Sequence, residues 1–382
     1  MAKPAHILNL VRSTRASGRD FIAGFTEYAN RHTQWRFHWE PLGLAALKQP
    51  WESYGFDAVV SRDHSAIAPL IEAGVPAILL SHQSEENRST IQIATDDETV
   101  ASSIARLFDF KGFHHFAFLG YHHRIWSQRR ERHFKDTSTE LGHSPLCFNL
   151  EGELANGDDD CNREELHDWL EALPDKTAIM AANDDLGSLV IRSAQDLGHR
   201  IPDDRIVVGV GNDQPICEMT SPALSSAPLH FRAAGTEAAK RLDAIFSLED
   251  TANVTISCAT GAVVERQSSE KTAITDPNVA RAVTYLNQTR HRPISVNEVA
   301  TVTGLSRRAL EIRFKDNLST TIASYHRELR ANHITTLLER KTLNLEQVAE
   351  ESGFHSAAEL SRFFKAVKNE SPSTYRTRVC GS

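Results

Sequence analysis

Residues 344–365 read NLEQVAEESGFHSAAELSRFFK, and residues 296–315 read VNEVATVTGLSRRALEIRFK, which is the same pattern about fifty residues earlier. The two copies are 49 residues apart up to the shared glycine and 50 residues apart after it, so the extra residue falls where a turn can absorb it. Each copy predicts a short helix, a glycine turn and a second helix that carries basic and small polar residues. Tandem helix-turn-helix units of this kind indicate a protein that reads DNA.

The apolar residues in and between the two copies predict how these units pack. They recur at helical spacing, and a long apolar-spaced helix between the copies would hold the two units apart. Asp276 followed by Pro277 predicts a helix start, and Ser295 with Glu298 predicts a capping box for the next helix. The residues expected to be buried are Val299, Ala300, Leu305, Leu310 and Phe314 in the first unit, Ile322, Tyr325, Leu329, Leu337 and Leu338 between the units, and Val348, Ala349, Phe354, Leu360, Phe363 and Phe364 in the second.

The second helix of each unit is the expected recognition helix. Arginine pairs with guanine in the major groove, and small residues let a helix approach the bases closely. Each of these arginines could equally contact phosphate or remain a solvated charge. The DNA-binding candidates are Ser306, Arg307, Arg308, Glu311 and Arg313 in the first unit and His355, Ser356, Ala357, Glu359 and Arg362 in the second. Two units on one chain would meet successive major grooves about 10 bp apart.

The charge of the chain is divided unevenly. The net formal charge of the 382 residues is −8, but residues 271–382 hold 17 Lys and Arg against 11 Asp and Glu. An acidic body joined to a basic C-terminal part is consistent with a nucleic-acid-binding module attached to a second domain, although charge alone does not establish it.

Cysteine usage and hydropathy limit the classes of protein to which this chain can belong. The five cysteines form no C-x-x-C pair, so neither a zinc ribbon nor a disulfide framework is indicated, and a reducing compartment is the simpler interpretation. The first residues, MAKPAHILNLV, lack the long apolar stretch of a signal peptide, and the longest apolar runs are too short to cross a bilayer. We expect a soluble, cytoplasmic protein without a membrane partner.

The N-terminal 265 residues alternate between strand-like and helix-like segments. This alternation predicts βαβ units and parallel sheets covered on both faces, and it restarts near residue 110, which predicts two α/β lobes with a cleft between them. The predicted strands lie at 6–11, 36–40, 57–61, 75–80, 116–121, 177–183 and 206–212, and the predicted helices at 19–32, 64–73, 97–110, 164–172 and 185–197.

Motifs for catalysis and cofactors are missing from this body. There is no dinucleotide fingerprint, phosphate-binding loop or nucleophile elbow, which argues against an enzyme and predicts no cofactor. His114-His115 and His122-His123 are poor chelating pairs, because neighbouring residues on a strand point to opposite faces. We therefore predict no metal site.

Several polar residues follow predicted strands, where ligands of such sheets bind. Asn183 and Asp184 end one strand and begin a helix, so they could either cap that helix or face the cleft. Asn212 and Asp213 follow VVGVG and have the same two interpretations. Arg130 lies in the basic stretch WSQRRERHF, where a solvated helix face is the alternative to a ligand contact.

Residues 1–265 resemble the effector-binding core of LacI/GalR-type regulators, whose fold is that of periplasmic sugar-binding proteins. The matching stretches are IATDDETVASSIARLFDFKGFHHFAFLGY, the R-x-x-H-F of residues 130–134, AANDDLGSLVIRSAQDLGHRIPDDRIVVGVGND and SPALSSAPLHFRAAGTEAAKRL. This resemblance implies that Arg130, Asn183 and Asp184 contact a sugar, with Ser13, Asp96 and Asn212 or Asp213 as weaker candidates.

Residues 276–382 resemble the AraC/XylS DNA-binding domain, and GFHSAAELSRFFKAVKNESPSTYR carries its signature. With residues 266–275 as a linker, the expected architecture is a two-lobed periplasmic-binding-protein-like domain followed by an all-α domain with two helix-turn-helix units. This order is similar to that of the xylose operon regulators of bacteria. The resemblance implies D-xylose as effector, a homodimer on double-stranded DNA and an activator that could contact RNA polymerase.

Two alternatives remain open at this point. The same scaffold could sense a purine or another ligand that is not a sugar, and, with less support, the α/β body could be an enzyme. One position departs from the LacI-like pattern, because Gly211 stands where such sensors usually carry an aspartate that accepts hydrogen bonds from the sugar. A neighbouring Asn212 or Asp213 could replace that acceptor, since glycine permits a backbone shift.

Overall fold

The computed structural model describes residues 4–80, 91–151, 160–247, 253–271, 273–340 and 342–380. The eleven strands of this part of the chain are β1 (His6–Asn9), β2 (Arg36–Trp39), β3 (Ala58–Ser61), β4 (Ala77–Leu80), β5 (Ile91–Thr95), β6 (His115–Tyr121), β7 (Leu146–Leu150), β8 (Thr177–Ala181), β9 (Arg205–Gly211), β10 (Ser225–Pro228) and β11 (Val254–Cys258).

Helices follow most of these strands, and the last seven helices form a separate all-α unit. The α-helices are α1 (Ala16–His32), α2 (Ala68–Glu72), α3 (Asp97–Phe110), α4 (Ile125–Glu140), α5 (Asp160–Ala172), α6 (Asp184–Asp196), α7 (Gln214–Met219), α8 (Phe231–Phe246), α9 (Pro277–Gln288), α10 (Val296–Thr303), α11 (Arg307–Leu318), α12 (Ile322–Leu338), α13 (Leu345–Glu351), α14 (Ala357–Lys368) and α15 (Pro372–Cys380).

The strands form two parallel sheets, one in each of two lobes. Lobe 1 contains the order β11-β5-β4-β3-β1-β2, and lobe 2 contains the order β10-β9-β8-β6-β7. The central strands are continuous apolar runs, such as AVVS in β3 and TAIMA in β8, and every residue of both is buried. Such runs fit strands that are covered by helices on both faces. The predicted fold class is confirmed.

The chain crosses between the lobes three times. After β5 it enters α3, which packs on α4 of lobe 2, and after β10 it returns to α8, which packs on α1 of lobe 1. The third crossing follows β11, where Val264 pairs with Ser226 of β10. The carboxyl ends of β5, β10 and β11 lead into these crossings.

The C-terminal domain contains two hydrophobic cores that share one helix. The first core is built around Leu310 and Phe314, and the second around Leu360 and Phe364. The N-terminal part of α12 contributes to the first core and its C-terminal part to the second. The sequence prediction of two units joined by a long helix is thus confirmed, with Leu305 and Phe363 only partly buried.

Most helix starts follow the expected chemistry, with one correction. Asp276 caps α9 and Pro277 is its first residue. Ser295 caps α10 as predicted, but Glu298 does not complete the capping box, because its carboxylate accepts hydrogen bonds from Tyr285 and Arg292 instead. A reciprocal capping box occurs instead in the second unit, between Asn344 and Gln347, and it was not predicted.

One further prediction about a segment needs correction. The expected helix over 64–73 is a 3-10 turn, Ser65–Ile67, followed by the short α2, in which Pro69 is an early residue. Within the predicted linker, 266–275, Ser268 and Ser269 are buried and donate hydrogen bonds to Val207 and Ser225 of lobe 2.

Two kinds of feature are absent from the described residues. They contain no helix with the length and hydropathy to cross a bilayer. In the same part of the chain, no three His, Cys, Asp or Glu side chains gather as metal ligands would.

Candidate functional site

Three of the candidate effector residues, Arg130, Asp184 and Asp213, are buried where the carboxyl ends of the two sheets meet. Arg130, only 3% exposed, donates from Nε to Asp97 Oδ1 at 2.8 Å and from Nη1 to the carbonyl of Ala182 at 2.6 Å. Asp97 begins α3 and Ala182 follows β8, so Arg130 on α4 ties two strand ends together. The solvated-face interpretation of Arg130 is therefore wrong.

Asn183 and Asp184 make different contacts, and the ligand role of each remains a prediction. Asn183 caps α6, because its side-chain oxygen accepts the N–H of Leu186 at 2.9 Å. Asp184 is 3% exposed and accepts the hydroxyl of Ser226 and the N–H of Asp213. Burial raises the pKa of Asp184 to about 6, although the two hydrogen bonds lower it.

Asp213 bridges the two lobes. Its carboxylate accepts the N–H of Ala16 and a guanidinium hydrogen of Arg19, both at 2.7 Å, at the start of α1. A carboxylate at a helix N-terminus satisfies a free N–H and interacts favourably with the helix dipole. A second contact, Arg15 Nη1 to Asp185 Oδ1 at 2.7 Å, lies beside it. These contacts bring the lobes together at the candidate site.

Asn212 turns away from this interlobe surface. Its Oδ1 accepts a hydrogen bond from Arg266 at 2.8 Å, and its φ of 51° places it in the left-handed region. Of the two neighbours expected to replace the missing acceptor, Asp213 therefore faces lobe 1 and Asn212 does not. The ligand role of each remains a prediction.

Gly211 is held in a conformation that favours glycine, with φ of 125°. A Cβ at this position would lie 3.1 Å from Asp184 Oδ2, so the carboxylate of Asp184 already fills the space beside it. An aspartate at 211 would place two carboxylates side by side, which raises the pKa of one of them and costs stability.

The two remaining candidates have local roles. Asp96 caps α3 by accepting the N–H of Thr99 at 3.1 Å. The carbonyl of Ser13 accepts a hydrogen bond from Arg19. Both are half-buried at strand ends of lobe 1, so the structure places them near the interlobe surface but does not show what their side chains would bind.

Sequence reasoning missed several residues of this site. Arg62 follows β3 directly and donates to Ser17 at 2.8 Å, and burial lowers its pKa to about 10. The buried thiol of Cys258 has a pKa raised by desolvation and lies among the charges of Arg130, Asp97 and Asp96. Trp126 stacks under Arg130, with the guanidinium carbon 4.8 Å from the ring centroid. The same signal that selected Asn183, a polar residue directly after an apolar strand, would have found Arg62.

The two helix-turn-helix units have the expected turns. Gly304 and Gly353 adopt φ of 73° and 68°, which lets the chain reverse between the helices. A Cβ at Gly353 would also lie 2.3 Å from the carbonyl oxygen of His291, whereas the space around Gly304 is open. Ser306 and Ser356, two of the DNA-binding candidates, cap the recognition helices α11 and α14.

The candidate arginines on the first recognition helix differ in whether an ion pair already engages them. Arg307 pairs with Glu311 at 2.9 Å, one turn along α11. Arg313 pairs with Asp276 at 3.2 Å, so it faces the start of α9. Arg308 is exposed and has no ion-pair partner among the described residues. A DNA contact by Arg308 would break no ion pair in this part of the chain.

The second recognition helix, α14, begins with small and mostly uncharged residues. Glu359 accepts the N–H of His355 at 3.1 Å, and the N–H of Ala357 donates to Glu346. Arg362 is exposed, and the described part of the chain holds no ion-pair partner for it. The small residues Ser356 and Ala357 stand at the end of the helix that would approach the bases first.

Comparisons with known proteins agree with this architecture. Residues 105–269 match the family of periplasmic binding protein-like domains, and residues 299–378 match a helix-turn-helix domain family. The chain is 26% identical to the xylose operon regulatory protein of Escherichia coli (strain K12) over 98% of this chain and 97% of that protein. It is 26% identical to the xylose operon regulatory protein of Haemophilus influenzae over 74% of each protein.

Solved structures give the same result. A xylose-binding transcription activator has a TM-score of 0.62 and 25% identity, and the match covers 98% of each chain. A LacI family transcriptional regulator from Enterococcus faecium with bound ribose has a TM-score of 0.54 and 17% identity over 69% of this chain and 98% of that chain, which shows a shared fold. The chain is thus a homologue of xylose operon regulators, and these relatives are transcriptional regulators rather than enzymes.

Proposed function

We propose that this chain is a sugar-responsive transcriptional regulator that binds a pentose, D-xylose in the first place, between its two lobes and binds operator DNA through its tandem helix-turn-helix units. The observation that carries the effector site is the buried ion pair of Arg130 and Asp97, where Arg130 also contacts the carbonyl of Ala182 and so joins the carboxyl ends of both sheets. The homologous xylose operon regulators, aligned over nearly the whole chain, support the choice of effector.

The chemistry of the interlobe group suits a small polyol. Carboxylates accept hydrogen bonds and guanidinium groups donate them in a fork, so alternating acids and arginines can pair with neighbouring hydroxyls. Asp97, Asp213, Arg62 and Arg130 supply both kinds of group at the lobe boundary. Trp126 adds an aromatic face next to them. We include Ser13, Asp96, Asn183 and Asn212 as neighbouring candidates from the sequence.

Calorimetry with D-xylose, D-ribose and guanine tests the effector. We expect D-xylose to bind, and Asp213→Ala to weaken its affinity about 5- to 100-fold if that carboxylate accepts from a sugar hydroxyl, a loss of about 1–3 kcal/mol. Asp196→Ala serves as the comparison, because Asp196 is an exposed carboxylate at the end of α6 that pairs with Arg163 and belongs to none of the candidate effector residues. Binding of guanine without binding of either pentose would favour the purine-sensing alternative.

The DNA-binding role rests on the two exposed recognition helices and the basic C-terminal domain. Arg308 and Arg362 are the arginines that we assign to base contacts, because the other two recognition-helix arginines are engaged in ion pairs. Fluorescence anisotropy of operator DNA with the full chain should show an affinity that falls steeply with salt, since bound phosphates release counterions. An affinity independent of salt would contradict this assignment.

A homodimer, activation and contact with RNA polymerase complete the proposal. Phe37, Trp39 and Leu42 are 37%, 54% and 76% exposed on the edge strand β2 and the turn that follows it. Exposed apolar side chains grouped in this way mark interaction surfaces. We assign this face to a second copy of the chain, and sedimentation of Trp39→Asp should show a weakened dimer. Binding to DNA would place the protein in the cytoplasm.

A further inference from the structure

The DNA-binding domain is docked on lobe 2 through the first half of α12. The ring of Tyr325 stacks on Phe110, at the end of α3, with centroids 4.0 Å apart and planes 5° apart. Next to this contact, the N–H of Ala273 donates to the carbonyl of Lys111 at 3.0 Å. Tyr325 is 2% exposed, so this contact is a packed interface rather than a surface touch.

The stacking of Tyr325 on Phe110 is the first of two docks, that is, packed contacts between the DNA-binding domain and the N-terminal domain. The second dock lies at the other end of α12. Glu339, the residue after the helix, accepts the N–H of Ala262 at 3.0 Å and the hydroxyl of Tyr375 at 2.6 Å. Ala262 belongs to the third crossing between the lobes, the segment 259–263 after β11. Arg378 of α15 donates to the carbonyl of Thr260 in the same segment. The carboxylate of Glu339 therefore joins the segment 259–263 to α15 of the second helix-turn-helix unit.

This second dock is tightly packed. A Cβ at Gly261 would lie 2.8 Å from Glu339 Oε1 and 2.7 Å from His230 Nε2. Burial lowers the pKa of His230 to about 4, so its ring is neutral at pH 7, and burial raises the pKa of Glu339. The dock thus depends on hydrogen bonds of fixed geometry, which a small displacement of the segment 259–263 would break.

The DNA-binding domain consequently spans both lobes. Its first unit rests on lobe 2 through Tyr325, while α15 lies against α8 of lobe 1 and Glu339 holds the crossing between them. The 17 residues of α12 rise about 1.5 Å each and cannot stretch without losing backbone hydrogen bonds. A change in the angle between the lobes cannot leave both docks unchanged.

We infer that Glu339 links the placement of the DNA-binding domain to the closure of the two lobes, so that opening the lobes releases the dock at Ala262. Its use in regulation rests on the proposed function, because an effector would act by favouring one lobe angle. Coupling of this kind is reciprocal: a variant that releases the dock also loosens the contacts that close the lobes.

The test uses the full chain without sugar or DNA. Hydrogen exchange is followed in two peptides, one covering 258–264, which reports the dock, and one covering 12–20, which reports the closure contact of the Ala16 N–H with Asp213. Glu339→Ala should raise the exchange rate of both peptides about tenfold or more. Glu328→Ala is the matched control, because Glu328 lies on the same helix and pairs with Lys368 inside the DNA-binding domain. The control should change neither peptide.

A reciprocal variant excludes a purely local effect. Arg19→Ala removes one closure contact at Asp213 and should raise exchange in 258–264 as well as in 12–20. Exchange that rises only in the peptide nearest to each substitution would overturn the inference, and so would an unchanged 258–264 peptide in Glu339→Ala.

A functional readout separates this inference from the proposed function. The ratio of operator affinities with and without D-xylose should differ from one in the native chain and should approach one in Glu339→Ala, with sugar affinity retained within a few-fold. An unchanged ratio in a variant whose dock is released would overturn the role of Glu339 in regulation and leave the regulator assignment intact. A native chain that binds neither pentose nor DNA would overturn the proposed function, while the exchange experiment would still decide the link between dock and closure.

Discussion

The charged residues of the interlobe site and those of the recognition helices occupy opposite environments. Arg130 is 3% exposed and held by Asp97 and a backbone carbonyl, whereas Arg308 and Arg362 are exposed on α11 and α14. Removing one partner of a buried ion pair leaves the remaining charge buried and uncompensated. An exposed charge is solvated by water with or without a partner. We therefore expect substitutions of the interlobe residues to change stability as well as any effector binding, and substitutions of the exposed recognition-helix residues to change DNA binding alone.

The largest effect is expected at Arg130. Arg130→Ala leaves Asp97 buried without its cation and should lower the free energy of unfolding of the N-terminal domain by about 3–5 kcal/mol. All five tryptophans lie in that domain, so urea unfolding followed by tryptophan fluorescence reports it without interference from the DNA-binding domain.

Arg132→Ala is the matched control for this variant. Arg132 is exposed on the same helix, and its loss should change the free energy of unfolding by less than about 0.5 kcal/mol. Equal losses in the free energy of unfolding for the two variants would show that burial of Arg130 does not make its charge more important for stability than the exposed charge of Arg132.

The next effect concerns pH and Asp184. Its pKa in the folded chain, about 6, is above the usual value of 3.8, so the folded state binds more protons than the unfolded state between about pH 4 and pH 6. The free energy of unfolding should fall as the pH rises through this window, by about 3 kcal/mol, and stay level above it.

The measurement subtracts the pH profile of Asp184→Asn from that of the native chain, both followed by tryptophan fluorescence. The difference isolates Asp184 from other carboxyls, such as Asp204, whose pKa is lowered to about 2 by the hydrogen bonds from Arg200. A difference that is flat from pH 4 to pH 7 would show that Asp184 is ionised in the folded chain at no cost.

A smaller effect, on binding only, is expected at Arg362. Arg362→Ala should weaken operator binding by about 1–3 kcal/mol and relax the preference at one base position if the side chain reads a base. Its stability should stay within about 0.5 kcal/mol of the native chain, because the residue is exposed. Equal losses on all DNA sequences would indicate a phosphate contact instead.

The smallest effect is expected at Arg313, which pairs with Asp276 at 3.2 Å. Exposed ion pairs contribute about 0–1 kcal/mol, so Arg313→Ala should change stability little and should not alter base preference. Operator anisotropy with variants of each base pair measures this. A change of preference at one base would move Arg313 to the DNA-facing side of α11 and weaken the distinction drawn here between Arg308 and Arg313.

The sequence predicted seven of the eleven described strands and the two helix-turn-helix units, and it missed β5, β7, β10 and β11. Apolar runs such as VPAILL and IVVGVGN predicted β4 and β9 because a strand buried on both faces must be apolar throughout. It missed β10, with the sequence SSAP, because that strand is buried through hydrogen-bonded serines rather than apolar side chains.

Only part of the candidate site could be predicted from the sequence. A polar residue directly after an apolar strand marks the carboxyl end of a sheet, and this signal selected Asn183 and Asp184. It could not show that Asn183 caps a helix while Asp184 is buried, because both roles begin with the same residue types at the same positions. It also could not place Asp97 beside Arg130, since 33 residues separate them along the chain.

The sequence by itself determined the local features of this protein: its repeated helix-turn-helix pattern, the glycines at both turns, the serine caps of both recognition helices and the alternation that makes parallel sheets. These depend on backbone conformation and on side-chain spacing within a few residues. Only the tertiary structure decided that Asp213 reaches across to α1 and that Glu339 holds the third crossing. Such contacts join residues far apart in the chain, and no periodicity in the sequence records which charges meet when separate elements pack.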